Sequence, residues 1–475
     1  MILTRRGAEV PRNDPVAAAR VRRELTVAPI SLNDPFPKKF NVYRETPTHF
    51  IVPVTWALTA LPHLAVTDRR GTGLGTSAPL AFAGKLKAEL RQPEAVEAVL
   101  RQWGLDAHGA RLGGGVGGPR PAGGGAMLCL PPGYGKTAGA LYLASVLKKR
   151  TLVVVHKSFL KDQWVERVTQ FLPGARVTGV QGDTCDTSGD VVIAMLQTLV
   201  ARKYPPSTFR DIGLVIVDEA HHVSAPGFSS AMFGLAAPYT LALSATPDRK
   251  DGLGRVVTWF LGDIAYRLRR ENQAGTEVRT VRYSCDRYAE PPPVNRRGDV
   301  CFTSVVTALT LDDTRTDLVA RQTVALAGEG RDVLVLSHRR EHCKAVAERV
   351  AAAGVACATY LGGDKEAPDT QVIVATFALT SEGFDMPRLT ALVLATPASD
   401  VEQSCGRVMR GTHTGTGAVI VDIVDQWGVC FAQHAKRRAL YRRSGFEVVT
   451  TAGGPSEEDP GDVQAVPRSF AFVDG

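Results

Sequence analysis

"AMLCLPPGYGKTAGALYLASVLKKRTLVVVH", Ala126 to His156, reads as an apolar strand, a glycine loop, a helix and a second apolar strand. Two buried strands joined by a helix make a parallel pair, because a parallel return needs a crossover. The alternation continues outward. "VVIAM" from Val191, "LVIVD" from Leu214 and "LALSA" from Leu241 are further buried strands. "SFLKDQWVERVTQFL", from Ser158, reads as an amphipathic helix between them.

The same pattern restarts after "AEPPPVNRRGDV", Ala289 to Val300, whose three consecutive prolines break any element. "DVLVLSH", "VACATYL", "QVIVATF", "TALVLAT" and "GAVIVDIVD" follow as strands. Between the first two, Cys343, Val346, Ala347 and Val350 form one apolar helical face. The predicted fold is α/β, with two tandem parallel-sheet domains and a small N-terminal domain. Residues 1–84 are an N-terminal extension or small accessory domain with β content. Residues 85–288 are the first α/β domain, 289–300 the linker and 301–447 the second domain. Residues 448–475 form an acidic tail predicted to be disordered, with "FAFV" near its end either a docking patch or a loose end.

The chain has 475 residues, 44% hydrophobic, which supports sizeable cores and excludes global disorder. Its formal net charge of +8 is compatible with a polyanionic partner and equally with an ordinary surface. No two of the eight cysteines form a CxxC unit, so neither a zinc site nor a disulfide framework is predicted. The start, "MILTRRGAEVPRND", lacks an apolar signal region, and no apolar run is long enough to span a bilayer. A soluble, intracellular protein without membrane contact is expected.

Three segments carry chemistry. "LPPGYGKTAGA", Leu130 to Ala140, has the phosphate-loop arrangement, with Leu130 where the pattern has its first glycine. Glycines let backbone N–H groups face an anion, and the helix N-terminus adds partial positive charge. Lys136 would reach the β- and γ-phosphates of a nucleotide, and Thr137 would ligate Mg²⁺. The alternative is a glycine turn with a solvated lysine. "LVIVDEAHH" delivers Asp218 and Glu219 at a strand end. There Asp218 would hold the Mg²⁺ shell and Glu219 would orient and deprotonate the attacking water. His221 either hydrogen-bonds across the crevice or caps the turn. In "VEQSCGRVMRG", Gln403, Arg407 and Arg410 share one helical face. Guanidinium groups there are either surface charge or a grip on phosphate. In "LALSATPDRKDG", Ser244 and Thr246 are small hydroxyls able to couple a strand end to the acidic pair.

Taken in order, "PPGYGKT", "DEAH", "SATPDRKDG", "SEGFDMP" and "QSCGRVMR" resemble the motifs of superfamily 2 helicases of the DEAH-box type. "SATPDRKDG" is similar to the XPB-like branch, and "YRETPTHF" near the start resembles helicases of large DNA viruses of the poxvirus transcript-release type. The resemblance runs from about Leu86 to Arg443 and rests on joint occurrence of the motifs. It implies two RecA-like domains with ATP in the cleft between them and nucleic acid across both. By resemblance, Pro132, Gly133, Tyr134, Gly135, Lys136 and Thr137 bind the nucleotide and Mg²⁺. Gly383 and Asp385 would touch it from the second domain. Gln403 would meet the γ-phosphate or the water, and Arg407 and Arg410 would complete the site. Gln92 either reads adenine or packs, since "LRQPEAV" is offset from the usual spacing. Lys157, Gln197, Thr198, Arg339 and Thr376 would contact nucleic acid. "AKRRALYRR", Ala435 to Arg443, either adds phosphate affinity or is a solvated helix. "RRENQ", from Arg269, is only a faint relative of the strand-separating "RED" element of XPB-like enzymes.

The implied function is an ATP-dependent helicase or translocase with nucleic-acid-stimulated ATPase activity, moving 3′→5′. DNA is the expected track, in viral transcript release or repair, with RNA polymerase or a transcription complex as partner. In a virus its place would be the virus factory or virion. An RNA helicase is the alternative. A non-enzymatic scaffold is disfavoured by the complete set of Lys136, Glu219 and the arginines.

Overall fold

The computed structural model describes all residues except 31–36, 78–79, 113–122, 132, 246–250, 269–274, 297, 362–367, 381–385, 387, 409–416 and 452–475. It divides into two compact units, Met1–Arg269 and Arg270–Gly475.

The first unit is built on an eight-stranded sheet. Its spatial order is Thr184–Cys185, Val177–Gln181, Val191–Met195, Thr151–Val155, Leu214–Val217, Tyr239–Ser244, Gly124–Cys129, Ile264–Arg267. Every pairing is parallel except the edge pair formed by the first two of these. Thr151–Val155, Val191–Met195 and Leu214–Val217 are buried at every residue, as strands covered on both faces must be. Alternate residues serve opposite faces. Val153 and Val155 pack with Leu141 of helix Lys136–Leu147, and with Trp164 and Val168 of helix Ser158–Phe171. Leu152 and Val154 share the other core with Phe260 and Leu261 of helix Gly254–Leu261.

That second core also contains Leu3, Val10, Phe50 and Trp56. The N-terminal region is thus β-containing, with a five-stranded sheet ordered Arg44–Glu45, His49–Val52, Gly7–Pro11, Ile2–Thr4, Thr67–Asp68. Its apolar side is continuous with one face of the eight-stranded sheet. Arg5 fastens the two: its buried guanidinium donates to the carbonyls of Arg70, Ile212 and Arg210 at 2.6–2.7 Å.

The second unit is a seven-stranded, all-parallel sheet ordered Cys357–Tyr360, Val372–Thr376, Val333–Ser337, Ala391–Leu394, Val419–Asp425, Glu277–Tyr283, Glu447–Thr451. Both sheets have the parallel α/β layout predicted from the alternation. The boundary, however, lies earlier than expected. Glu277–Tyr283 fell inside the span assigned to the first domain, yet it pairs with Val419–Asp425 of the second sheet. Arg279 and Arg282 interrupt its apolar run and mask it as a strand. The proline segment also belongs to this unit, since Trp427 Nε1 donates to the Glu290 carbonyl at 3.0 Å and Val294 bridges Val300. At the other end, Glu447–Thr451 is a strand where a tail was expected to begin, and the rest of that tail lies outside the described residues.

The basic run Ala435–Arg443 is not a uniformly solvated face. Helix Gly428–Arg443 turns Arg437 and Tyr441 inward, where both bond to the buried Asp422. Burial opposes the Asp422 charge, yet the Arg437 guanidinium and His434 hold its carboxyl down to about 2.

Arg5→Met retains the aliphatic stem and leaves three carbonyls without their donor. The expected loss is about 3 kcal/mol, because hydrogen bonds to a charged donor are the stronger kind. A urea unfolding midpoint reads it, and a midpoint equal to wild type would contradict the role given to Arg5.

Candidate nucleotide and nucleic-acid site

The phosphate loop leaves the sheet at Cys129, and helix Lys136–Leu147 begins five residues beyond Leu130 and Pro131. Gly133 and Gly135 have φ of +89° and +78°, a left-handed backbone that side chains disfavour. A Cβ on Gly135 would also meet Gln92 Nε2 at 2.2 Å. Gln92 is buried with both ends of its amide engaged. Nε2 donates to the Tyr134 carbonyl at 3.1 Å, and Oε1 accepts from the Lys87 N–H at 2.9 Å. Gln92 thus packs against the loop. Lys136 Nζ donates to the Leu130 carbonyl at 3.0 Å, so the ammonium lies over the loop. Thr137 stands on the first turn of the same helix, and Pro132 lies outside the described residues.

The acidic pair leaves the sheet at the same edge. Both oxygens of Asp218 are held: Oδ1 accepts the Glu219 N–H and Oδ2 accepts the Trp164 indole N–H, each at 2.9 Å. Each oxygen keeps a further lone pair for a cation or its water shell. Glu219 has φ of +45°, a strained value for a side-chain-bearing residue. Its Oε2 is buried, makes no hydrogen bond among the described residues and stands 3.5 Å from His221 Nδ1. Burial pushes the Glu219 carboxyl up to about 7; Lys136 pulls it down and Asp218 adds to the rise. A carboxyl poised near neutrality, with no hydrogen bond at Oε2 among the described residues, suits a general base. Gly133, Gly135, Lys136, Thr137 and the Asp218 oxygens together have the chemistry to hold a magnesium triphosphate.

His221 belongs to a row of imidazoles. Its ring centroid is 4.3 Å from that of His222, which is 4.0 Å from that of His156. Burial, with His222 and Lys157 nearby, pushes His156 down to about 4, so its ring is neutral at pH 7. The sequence leaves His221 either bonding across the crevice or capping the turn and does not mark His156 or His222, since the contact between those two rings joins residues far apart in the chain. Ser244 ends its strand opposite Cys129, and its carbonyl accepts the Leu130 N–H at 3.2 Å. It therefore abuts the start of the phosphate loop. Thr246 lies outside the described residues.

Lys157, Gln197 and Thr198 gather at neighbouring strand ends. Lys157 precedes helix Ser158–Phe171, and the Gln197 amide donates to the His156 carbonyl. The Thr198 hydroxyl accepts the Gly182 N–H at 3.2 Å. In the second unit Thr376 ends its strand beside Ser337. The Arg339 guanidinium is already used, donating to the Thr303 carbonyl at 2.9 Å and the Thr307 hydroxyl at 3.1 Å. Gly383, Asp385 and Arg410, and the side chains of Gln403 and Arg407 on helix Glu402–Val408, lie outside the described residues.

Residues 85–249 match the family model described as "Type III restriction enzyme, res subunit". A protein of Acanthamoeba polyphaga mimivirus named as a candidate ATP-dependent RNA helicase is 29% identical over 330 residues, covering 67% of this chain and 64% of its own length. The chain thus spans somewhat under two thirds of that relative. A candidate helicase of Frog virus 3 is 28% identical over 352 residues, covering 72% of this chain and 80% of its own length. Among solved structures, T4 UvsW aligns over 93% of this chain and 96% of its own, with 15% identity and a TM-score of 0.37. The phosphate loop and the acidic pair lie at one sheet edge, and the chain is similar over about two thirds of its length to proteins of large DNA viruses named as helicases.

Proposed function

We propose that the protein is an ATP-dependent nucleic-acid translocase or helicase whose ATPase is stimulated by nucleic acid. The observation that carries this reading is the buried, unbonded Glu219 oxygen beside Lys136 and Asp218. In the proposed cycle, Gly133, Gly135 and Lys136 receive the triphosphate; Thr137 and Asp218 would hold Mg²⁺, which would supply charge neutralisation at the phosphates. Glu219 takes a proton from water as the water oxygen bonds to the γ-phosphorus. The bond from that phosphorus to the β–γ bridging oxygen breaks, and ADP leaves with the electron pair. Gln403, Arg407 and Arg410 are proposed to complete the site, with Gly383 and Asp385 contacting the nucleotide, by resemblance to the family motifs.

Lys157, Gln197, Thr198 and Thr376 are proposed to hold the nucleic-acid backbone; small hydroxyls and N–H groups at strand ends suit phosphate contacts without base reading. Arg339 would have to leave Thr303 and Thr307 to join them. Ser244, Thr246 and His221 are proposed to couple the two sites. DNA is the proposed track, from the "SATPDRKDG" sequence, with transcript release from a polymerase or repair as the setting. Relatives named as RNA helicases favour RNA as the second reading. No described helix is long and apolar enough to cross a membrane.

ATP turnover measured with matched single- and double-stranded DNA and RNA tests the reading. Wild type is expected to be stimulated most by DNA, and Lys136→Ala is expected to lose at least about 100-fold in stimulated turnover, as loss of a main phosphate-stabilising charge does. Undiminished turnover in Lys136→Ala would overturn the assignment, and stronger stimulation by RNA would select the second reading.

The raised Glu219 carboxyl has a consequence for stability. Between pH 4.5, the ordinary glutamate value, and about 7, the folded protein keeps a proton that the unfolded chain has released. Wild-type stability therefore falls as pH rises through that window. Glu219→Gln has no such loss. Its stability gain over wild type should be near zero at pH 4 and reach a plateau above pH 7, on the order of 3 kcal/mol. Denaturation midpoints of both proteins at pH 5 and pH 8 check this; a gain independent of pH would contradict it.

A further inference from the structure

Helix Ser158–Phe171 buries only two of its residues fully, Trp164 and Val168, one turn apart on one face. Trp164 is 2% exposed and sits in the core formed with Val153, Val155 and Ile193. Core packing explains a large apolar side chain there. It does not explain why the single polar atom of that side chain meets a site carboxylate. The indole Nε1 donates to Asp218 Oδ2 at 2.9 Å, while the Glu219 N–H holds Oδ1 at the same distance. Turning the carboxylate about its Cβ–Cγ bond would break both bonds. A comparison is available within the same core. Trp103 is 4% exposed, and its indole nitrogen is buried with no hydrogen-bond partner among the described residues. Within this core, then, an indole bonded to an acidic side chain is a feature of Trp164 and not of Trp103.

We propose that Trp164 is a positioning residue of the magnesium-nucleotide site: its indole N–H fixes the Asp218 carboxylate in the orientation that receives the cation. The proposal rests on the reading of Asp218 as a Mg²⁺-side carboxylate. The rotational freedom of the carboxylate is removed on folding, so it need not be lost when the cation arrives. Groups that orient a metal-side ligand typically contribute 10- to 100-fold in metal affinity. The site keeps its glycine loop and Lys136 whether or not the indole bond is present. Nucleotide binding without metal should therefore be insensitive to it.

The test is the affinity of the full chain for a fluorescent ADP analogue, measured in EDTA and again in excess Mg²⁺. The ratio of the two dissociation constants gives the metal-linked gain. Four proteins are compared: wild type, Trp164→Phe, the chain carrying 3-benzothienylalanine at position 164, and Trp103→Phe. The benzothienyl group keeps the shape of the indole and replaces its N–H by sulfur, so it removes the donor without opening a cavity. The expected result is a metal-linked gain about tenfold smaller in both position-164 variants. Their affinity in EDTA should stay within about twofold of wild type, and Trp103→Phe should retain the full gain. An unchanged gain in the benzothienyl protein would overturn the proposal, as would equal weakening with and without Mg²⁺. If wild type itself shows no metal-linked gain, the nucleotide-site reading fails and the proposal falls with it. Full gain in wild type and in the benzothienyl protein would remove the Trp164 role alone.

Discussion

The register of four neighbouring strands is the constraint on which the site depends. Val217 lies opposite both Val154 and Ala242, and Ser244 lies opposite Cys129. Because these pairings are parallel, the strands end at one edge of the sheet. The phosphate loop, the histidine at position 156, the acidic pair and Ser244 therefore emerge together, although they span more than a hundred residues of sequence. The crevice beyond the carboxyl ends of strands is where open α/β sheets bind ligands. A slip of one residue in the Leu214–Val217 strand would turn its apolar residues to opposite faces and carry Asp218 away from Trp164.

The sheet edge concentrates features that a core would reject. Glu219 combines a left-handed backbone, a raised carboxyl and an unbonded buried oxygen. The well-filled strands beneath it make that arrangement possible. A left-handed non-glycine residue costs on the order of 1 kcal/mol, and a buried, unpartnered polar oxygen costs more. Asp218 is the contrast. Both of its oxygens are bonded, and the same strand end thus supplies one carboxylate fixed in orientation and one left available to titrate. Two adjacent acids thus acquire different properties from their surroundings.

The local parts of this organisation are legible in the sequence. "LPPGYGKTAGA" and "LVIVDEAHH" carry their glycines, lysine and carboxylates at fixed spacings, and apolar alternation marks most strands of both sheets. Contacts that depend on three-dimensional neighbours are not. Trp164 reads as one more apolar position on a helix, and nothing local links it to Asp218. Glu277–Tyr283 is hidden by Arg279 and Arg282, which sit at less buried positions of the strand, so the unit boundary falls earlier than the proline run suggests. The short N-terminal strands carry too few residues for a period to register, and the buried Arg5 that fastens them looks like surface charge in "MILTRRG". Arg437 is disguised in the same way within a basic run.

The central claim is that Glu219 is the proton acceptor of an ATP-hydrolysing site and not a structural acid. Glu219→Gln preserves shape and removes only the base, so binding and chemistry should separate. The direct measurement pairs equilibrium binding of ATP in excess Mg²⁺ with single-turnover hydrolysis on the same Glu219→Gln protein. The account predicts ATP affinity within about threefold of wild type and hydrolysis reduced at least about 100-fold, the scale of a lost general base. Hydrolysis at the wild-type rate with binding intact would contradict it.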